Sequence, residues 1–267
     1  YRVVLNDSKI PAASVSFSTY AQNPIKAKNP AAYLVLESLL SEGSIYKNCS
    51  DFSEYAEKYG INTLFSSTAG ASSIGAWVKC DAQNLDKALD LVKEVVENPR
   101  FDEITFNKVK KNLFDNISRS EKTPWDKLNP HLFGNKYFTK EDVLQGLEKL
   151  TLDDVKNLYG QITAQSGAAI VVSAPLKNVG AGNVIQKVNG FKPVLPFKYS
   201  RFDTYVPQSE AKVFKEVANK SQAKIVVAYK FKDVGNMKDQ VTIELLNTIL
   251  GGGPTSRLFD DIREKQK

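Results

Sequence analysis

Residues 62–68 and 73–81 read as two strands joined by a Gly/Ser-rich turn, and this hairpin constrains the chain more than any other feature. A connection that short allows only antiparallel pairing, since parallel neighbours need a crossover of a dozen or more residues. The rest of the chain must therefore supply further strands and a covering layer. Residues 13–19 alternate apolar and polar, the period of a half-buried strand. Ala168 to Ser173 is a compact apolar strand.

Between these strands the apolar period changes to that of helices. Asn29-Pro30 opens one, with Leu36, Leu39 and Leu40 on its apolar face and Gly43 placed to end it. Asp51 and Glu54 resemble a capping box for a helix running to Gly60. Residues 84–97 place Leu85, Ala88, Leu89, Val92, Val95 and Val96 at helical spacing. Further helices are predicted over 102–118, 124–133, 140–148 and 151–162. From about 176 to 200 the chain is rich in Gly, Pro, Lys and Asn and reads as a linker. Beyond it, residues 222–230 read as a strand and 237–249 as a helix ending at Gly251-Gly252-Gly253. Thr255 is placed to cap a last helix carrying Leu258, Phe259 and Ile262. The expected class is α+β, with helices packed on an antiparallel-rich sheet.

A length of 267 residues suits one large domain or two, and 42% hydrophobic residues suffice for sizeable cores. The net charge of +6 comes from lysines scattered along the chain. The densest group, Lys108-Val109-Lys110-Lys111, falls on a predicted helix and reads as a solvated face. A nucleic-acid surface needs clustered cations, often with stacking aromatics, so nucleic acid is not an expected partner. No apolar run approaches the roughly 20 residues of a membrane span. Tyr1 to Leu5 show no basic region followed by a long apolar run, so no signal peptide is read there. The chain opens on Tyr, as a mature product or a cut fragment would, and its compartment stays open. Cys49 and Cys80 are too few for a disulfide framework. They pair only if the fold brings them together, and two free thiols is the simpler reading.

The most specific stretch is Leu250-Gly251-Gly252-Gly253-Pro254-Thr255-Ser256-Arg257-Leu258-Phe259, followed by Ile262-Arg263-Glu264-Lys265. A P-loop is excluded, because no Gly-Lys-Ser/Thr follows the glycines. Upstream, in order, stand Ser14–Thr19, Pro30–Glu42, Gly43-Ser44, Glu57-Lys58-Tyr59-Gly60, the 62–81 hairpin and Asn98-Pro99-Arg100-Phe101. In sequence and spacing this series resembles the insulinase/pitrilysin-type (M16, inverzincin) zinc metallopeptidase family. The resemblance covers nearly the whole chain. It implies a layered, LuxS/MPP-like metallopeptidase domain over residues 1–190, with 191–267 forming a linker and the first part of a second such domain.

One part of the family pattern is broken. The family's His-x-x-Glu-His falls on Leu34-Val35-Leu36-Glu37-Ser38, where only the glutamate matches. Two histidines four apart on one helix face grip zinc, with the glutamate as general base. Leu34 has no lone pair to donate, Ser38 is a poor ligand, and Glu37 without metal has no activated water to act on. The family's third ligand, an acid, falls near Asp115 or Asn116. Glu37 then reads as an exposed helix residue, or as a buried acid paired with a Lys or Arg. The single histidine, His131, lies in apolar Pro130-His131-Leu132-Phe133 and reads as a packing or surface residue. A Cys2His site with Cys49 and Cys80 fits no common zinc spacing. A Cys–His nucleophile pair would need proximity that the sequence does not show.

The resemblance therefore implies a catalytically inactive half of a zinc metallopeptidase. Such a half encloses or binds peptide and supports an active half, in the same polypeptide or in a separate subunit. Zinc is expected in that active half and no cofactor in this chain. Arg263 matches a family residue that contacts substrate backbone. A homodimer is a further option, and a structural scaffold with no role in peptide processing is the alternative.

Overall fold

The computed structural model describes residues 2–23, 25–68, 72–133, 138–192, 195–196, 212–215, 224–229 and 236–266. By their contacts these divide into two units, Tyr1–Thr204 and Tyr205–Lys267.

The first unit opens with β1 (Arg2–Asp7) and β2 (Ala12–Ala21), then α1 (Ala32–Leu40) and α2 (Cys49–Lys58). The expected hairpin follows as β3 (Asn62–Thr68) and β4 (Ser73–Asp81). Next come α3 (Leu85–Glu97), α4 (Glu103–Arg119), α5 (Trp125–Phe133), α6 (Lys140–Lys149) and α7 (Leu152–Gln165). The unit closes with β5 (Ser166–Ala174), α8 (Leu176–Val179) and α9 (Ala181–Asn189). The strands form one five-stranded sheet in the order β1-β5-β2-β4-β3. Only β1 with β5 is parallel; the other pairs are antiparallel. The α+β class expected from the hairpin is the one found.

Strand alternation decides which face of the sheet meets the helices. Val15, Phe17, Ile74, Ala76, Val78, Ile170 and Val172 are all buried and belong to one core with Leu36, Leu39, Leu89, Val92 and Val155 of the helices. The opposite face carries a row in strict register, Val4–Val171–Ser16–Trp77–Leu64, whose four apolar members are exposed. An antiparallel-rich sheet tolerates one open face in this way. No helix among the described residues is long and apolar enough to cross a membrane.

Several local expectations shift for identifiable reasons. α2 is capped by Asn48, whose side chain accepts from Ser50 and Asp51 N–H while Asp51 reaches back to the Asn48 N–H. Asp51 is thus the third residue of the capping box, not the cap. α1 begins at Ala32, two residues beyond Pro30. Asn29 instead closes the preceding turn, accepting from Ala31 N–H at 2.9 Å and donating to the Gly146 carbonyl at 2.8 Å. β1 was not legible as a strand. The stretch read as a linker over 176–200 forms α8 and α9 up to Asn189. Gly180, at φ +80°, separates the two, and Val184 and Val188, four apart, bury one face of α9. Its Gly/Lys/Asn-rich remainder is the solvent side of that helix.

In the second unit, α10 (Met237–Gly251) is capped by Asn236, which accepts from Asp239 N–H at 2.8 Å. Residues 224–229 carry no strand pairing, and the remainder of the stretch read as a strand lies outside the described residues. A strand needs a ladder partner, and the described residues of this unit offer none. A π-helical turn, Phe259–Glu264, follows the Gly-rich stretch. Ser256, not Thr255, precedes it as the capping residue: its carbonyl accepts from Asp260 N–H at 3.0 Å and its hydroxyl from Phe259 N–H at 3.4 Å.

Candidate functional site

α1 presents two faces. Val35, Leu36, Leu39 and Leu40 are buried in the core, while Leu34, Glu37 and Ser38 turn outward. Leu34 is 40% exposed, and Glu37 and Ser38 are half-buried. Positions 34 and 38, one helical turn apart, share a face as paired ligands would. The donors there do not fit zinc: a Leu carries none, and a neutral Ser hydroxyl is not among the N, S and carboxylate donors the ion takes. Asp115 is half-buried on α4. Among the described residues no three His, Cys, Asp or Glu side chains gather into a metal-binding group. No metal-dependent step can be derived for these residues.

Glu37 has a different partner from either option considered for it. Its Oε2 accepts the backbone N–H of Ser67 on β3 at 3.1 Å. This tie between helix and strand left no signal in the sequence, because it depends on how α1 lies against β3.

The remaining candidates are dispersed. His131 is half-buried on α5, beside Pro130 within that helix. Cys49 and Cys80 are free thiols. Burial, and then the charge of Asp81, pushes the Cys80 thiol up to about 11, which starves it of the thiolate a nucleophile needs. Arg263 is exposed, with its guanidinium 5.1 Å from the centre of the Phe259 ring one helical turn away. The nearby acids Asp260 and Asp261 are held by Lys265 instead.

The motif residues upstream are joints. Gly43, at φ +101°, ends the α1 segment, and any Cβ there would meet the Lys47 carbonyl at 2.4 Å. The chain then turns so that Ser44 bridges Pro99 and Ile45 N–H donates to the Asn98 carbonyl. Ser44 is fully buried and its hydroxyl donates to Glu94, whose other oxygen pairs with Lys47. Phe101 meets Tyr159 edge-on at 5.2 Å. The Tyr59 carbonyl accepts from Asn84 Nδ2 at 2.8 Å. In the Gly-rich stretch, a Cβ on Gly252 would lie 2.7 Å from Thr248 Cα, and Gly253 needs φ +115°. These residues are held by backbone geometry and packing that need no metal centre.

The geometry defines an α+β domain in which no group of three metal donors gathers among the described residues and the outward positions 34 and 38 of α1 carry Leu and Ser. Residues 149–267 match the model of the peptidase M16 inactive domain. The chain is 22% identical over 248 residues to an uncharacterized zinc protease of Rickettsia felis, covering 86% of this chain and 56% of that protein. It is 23% identical over 192 residues to the non-peptidase homolog YmxG of Helicobacter pylori, covering 68% and 43%. Among solved structures, the peptidase M16 inactive domain from Pseudomonas fluorescens superposes with a TM-score of 0.68 at 17% identity, over 98% of this chain and 65% of that one. A protease from Helicobacter pylori gives 0.68 at 19%, over 99% and 66%. Residues 149–267 therefore resemble the peptidase M16 inactive domain, and the chain as a whole shares the fold of these solved structures. The chain spans about half the length of the curated relatives it matches.

Proposed function

We propose that this chain is the inert half of a zinc metallopeptidase, shaping the space in which peptide is held and supporting a separate active half. The observation that carries this reading is the outward face of α1, where Leu34 and Ser38 stand at the two histidine positions. Glu37, the remaining member of the pattern, accepts a backbone amide. Peptide hydrolysis, with zinc, belongs to the active half. Arg263 is the residue of this chain proposed to touch substrate, since it is exposed and, among the described residues, the neighbouring acids Asp260 and Asp261 pair with Lys265 instead. Residues 1–190 are taken as the inactive peptidase-like domain and 191–267 as a linker with the first part of a second. An extended peptide would add to a sheet edge, where main-chain hydrogen bonds are tolerant of sequence. The edges here are β1 and β3.

The test is zinc content and peptidase activity of the purified chain, alone and mixed with the remainder of its parent protein. The expected result is no stoichiometric zinc and no turnover alone, with activity appearing or rising on mixing. Stoichiometric zinc with turnover by the chain alone would defeat the proposal. A scaffold role is the second reading, favoured by likeness to a relative described as a non-peptidase homolog. Mixing that stabilises an assembly without raising hydrolysis would select it.

A further inference from the structure

The hydroxyl of Thr19 engages both backbone groups of Ile74, accepting its N–H at 2.8 Å and donating to its carbonyl at 3.4 Å. Ile74 therefore faces β2, and its cross-strand partner Ser67 faces away from β4. The same alternation turns the backbone of Thr63 and Phe65 outward. β3 is an edge of the sheet, so these groups form the row that an added strand would use. One of them is taken: the Ser67 N–H donates to Glu37 Oε2 at 3.1 Å. The Ser67 hydroxyl is buried and has no partner among the described residues. None of the ion pairs formed among the described residues involves Glu37.

We propose that Glu37 is a gate on the β3 edge: its carboxylate holds the outward amide of Ser67, and an extended chain can pair through Ser67 only by displacing it. This rests on the reading that the chain binds extended peptide. A carboxylate is a stronger acceptor for an amide than the neutral carbonyl that would replace it, so the gate favours the closed edge. An unguarded edge recruits other chains indiscriminately. Glu37 admits only peptides whose remaining contacts along Thr63 and Phe65 outweigh the displaced bond.

The test uses the full chain and its Glu37→Ala and Glu37→Gln variants, each first shown to be folded by circular dichroism. The probe is a fluorescein-labelled heptapeptide of alternating Thr and Val with terminal lysines, read by anisotropy. Hydrogen exchange at the Ser67 amide is followed in parallel. In Glu37→Ala the Ser67 amide should exchange faster, and the peptide should bind about tenfold tighter, the scale of losing one charge-assisted bond. Glu37→Gln, which keeps an acceptor oxygen, should fall between. Faster exchange with unchanged affinity would overturn the gate and leave peptide binding standing. Exchange that does not change in Glu37→Ala would overturn the bond itself. Absence of peptide binding by all three proteins would overturn the peptide reading and the gate with it.

Discussion

Replacing Glu94 with Ala removes the acceptor around which the turn after α1 is built. Glu94 Oε1 accepts the hydroxyl of fully buried Ser44, and Oε2 lies 2.5 Å from Lys47 Nζ. Lys47 also sits 5.0 Å from the centre of the Tyr55 ring. The side chains of Lys47 and Glu94 are 25% and 18% exposed, so water partly replaces the ion pair and its share is about 1 kcal/mol. The Ser44 hydroxyl has no route to water, and leaving it without its acceptor costs about 1–3 kcal/mol. Higher helix propensity at position 94 returns only about 0.4 kcal/mol. The net expectation is a loss of about 2–3 kcal/mol, or roughly 4–12 °C in Tm. Trp77 and Trp125, the two tryptophans of the chain, both lie in the first unit, so urea unfolding followed by Trp fluorescence reports on that unit. Glu94→Gln keeps an oxygen for Ser44 and should lose about 1 kcal/mol. A Glu94→Ala protein within about 0.5 kcal/mol of the parent, or indistinguishable from Glu94→Gln, would refute the reasoning.

Three further outcomes are expected. Gly146→Ala gains about 1 kcal/mol of helix propensity, but its Cβ would meet Asn29 Oδ1 and Pro30 Cγ, each at 2.8 Å, in a joint that Asn29 already ties; overpacking of about 1–3 kcal/mol should win, and a rise in melting temperature would contradict this. At pH 8 a maleimide should label Cys49 and spare Cys80, whose raised value near 11 leaves almost no thiolate; labelling of both should need denaturant, and equal native rates would disprove the assignment. The double variant Leu34→His with Ser38→His should bind zinc in calorimetry where the parent does not, and reverting either position should abolish it. Failure to bind would mean that the two histidines are not joined by a third donor such as Asp115 on α4.

What the sequence showed depended on whether a signal was local. The hairpin, the long amphipathic helices and the half-buried strand at 13–19 follow from periods of 2 and 3.6, and all are present. β1 escaped because its core, Val3-Val4-Leu5, is a short apolar run without the alternation that marked residues 13–19. α8 and α9 escaped because composition outweighed the spacing of Val184 and Val188. The cap of α2 was misplaced by three residues, because Asn48 and Asp51 both carry side chains suited to capping. At the candidate site, the missing donors at 34 and 38 could be read directly. The bond from Ser67 to Glu37 could not, since it joins residues 30 apart through packing of helix on strand.

The joints and the positions aligned with the zinc ligands are physically separate, so the fold does not depend on which residues stand at 34 and 38. Gly43, Ser44, Phe101 and Gly252 are constrained by contacts that a substitution would break. Leu34 is exposed and Ser38 half-buried, so exchange at these positions disturbs little of the core that Leu36, Leu39 and Leu40 build from the other face of the same helix. Glu37 lies between the two regimes. Its backbone belongs to the helix, its carboxylate has become a tie to the sheet edge, and its retention needs no catalytic reason. The Glu37→Gln variant isolates this: it would abolish a general base but only weaken a structural acceptor. A Glu37→Gln chain that folds normally, and that still allows full hydrolysis when mixed with the proposed active half, is the outcome that a structural role requires.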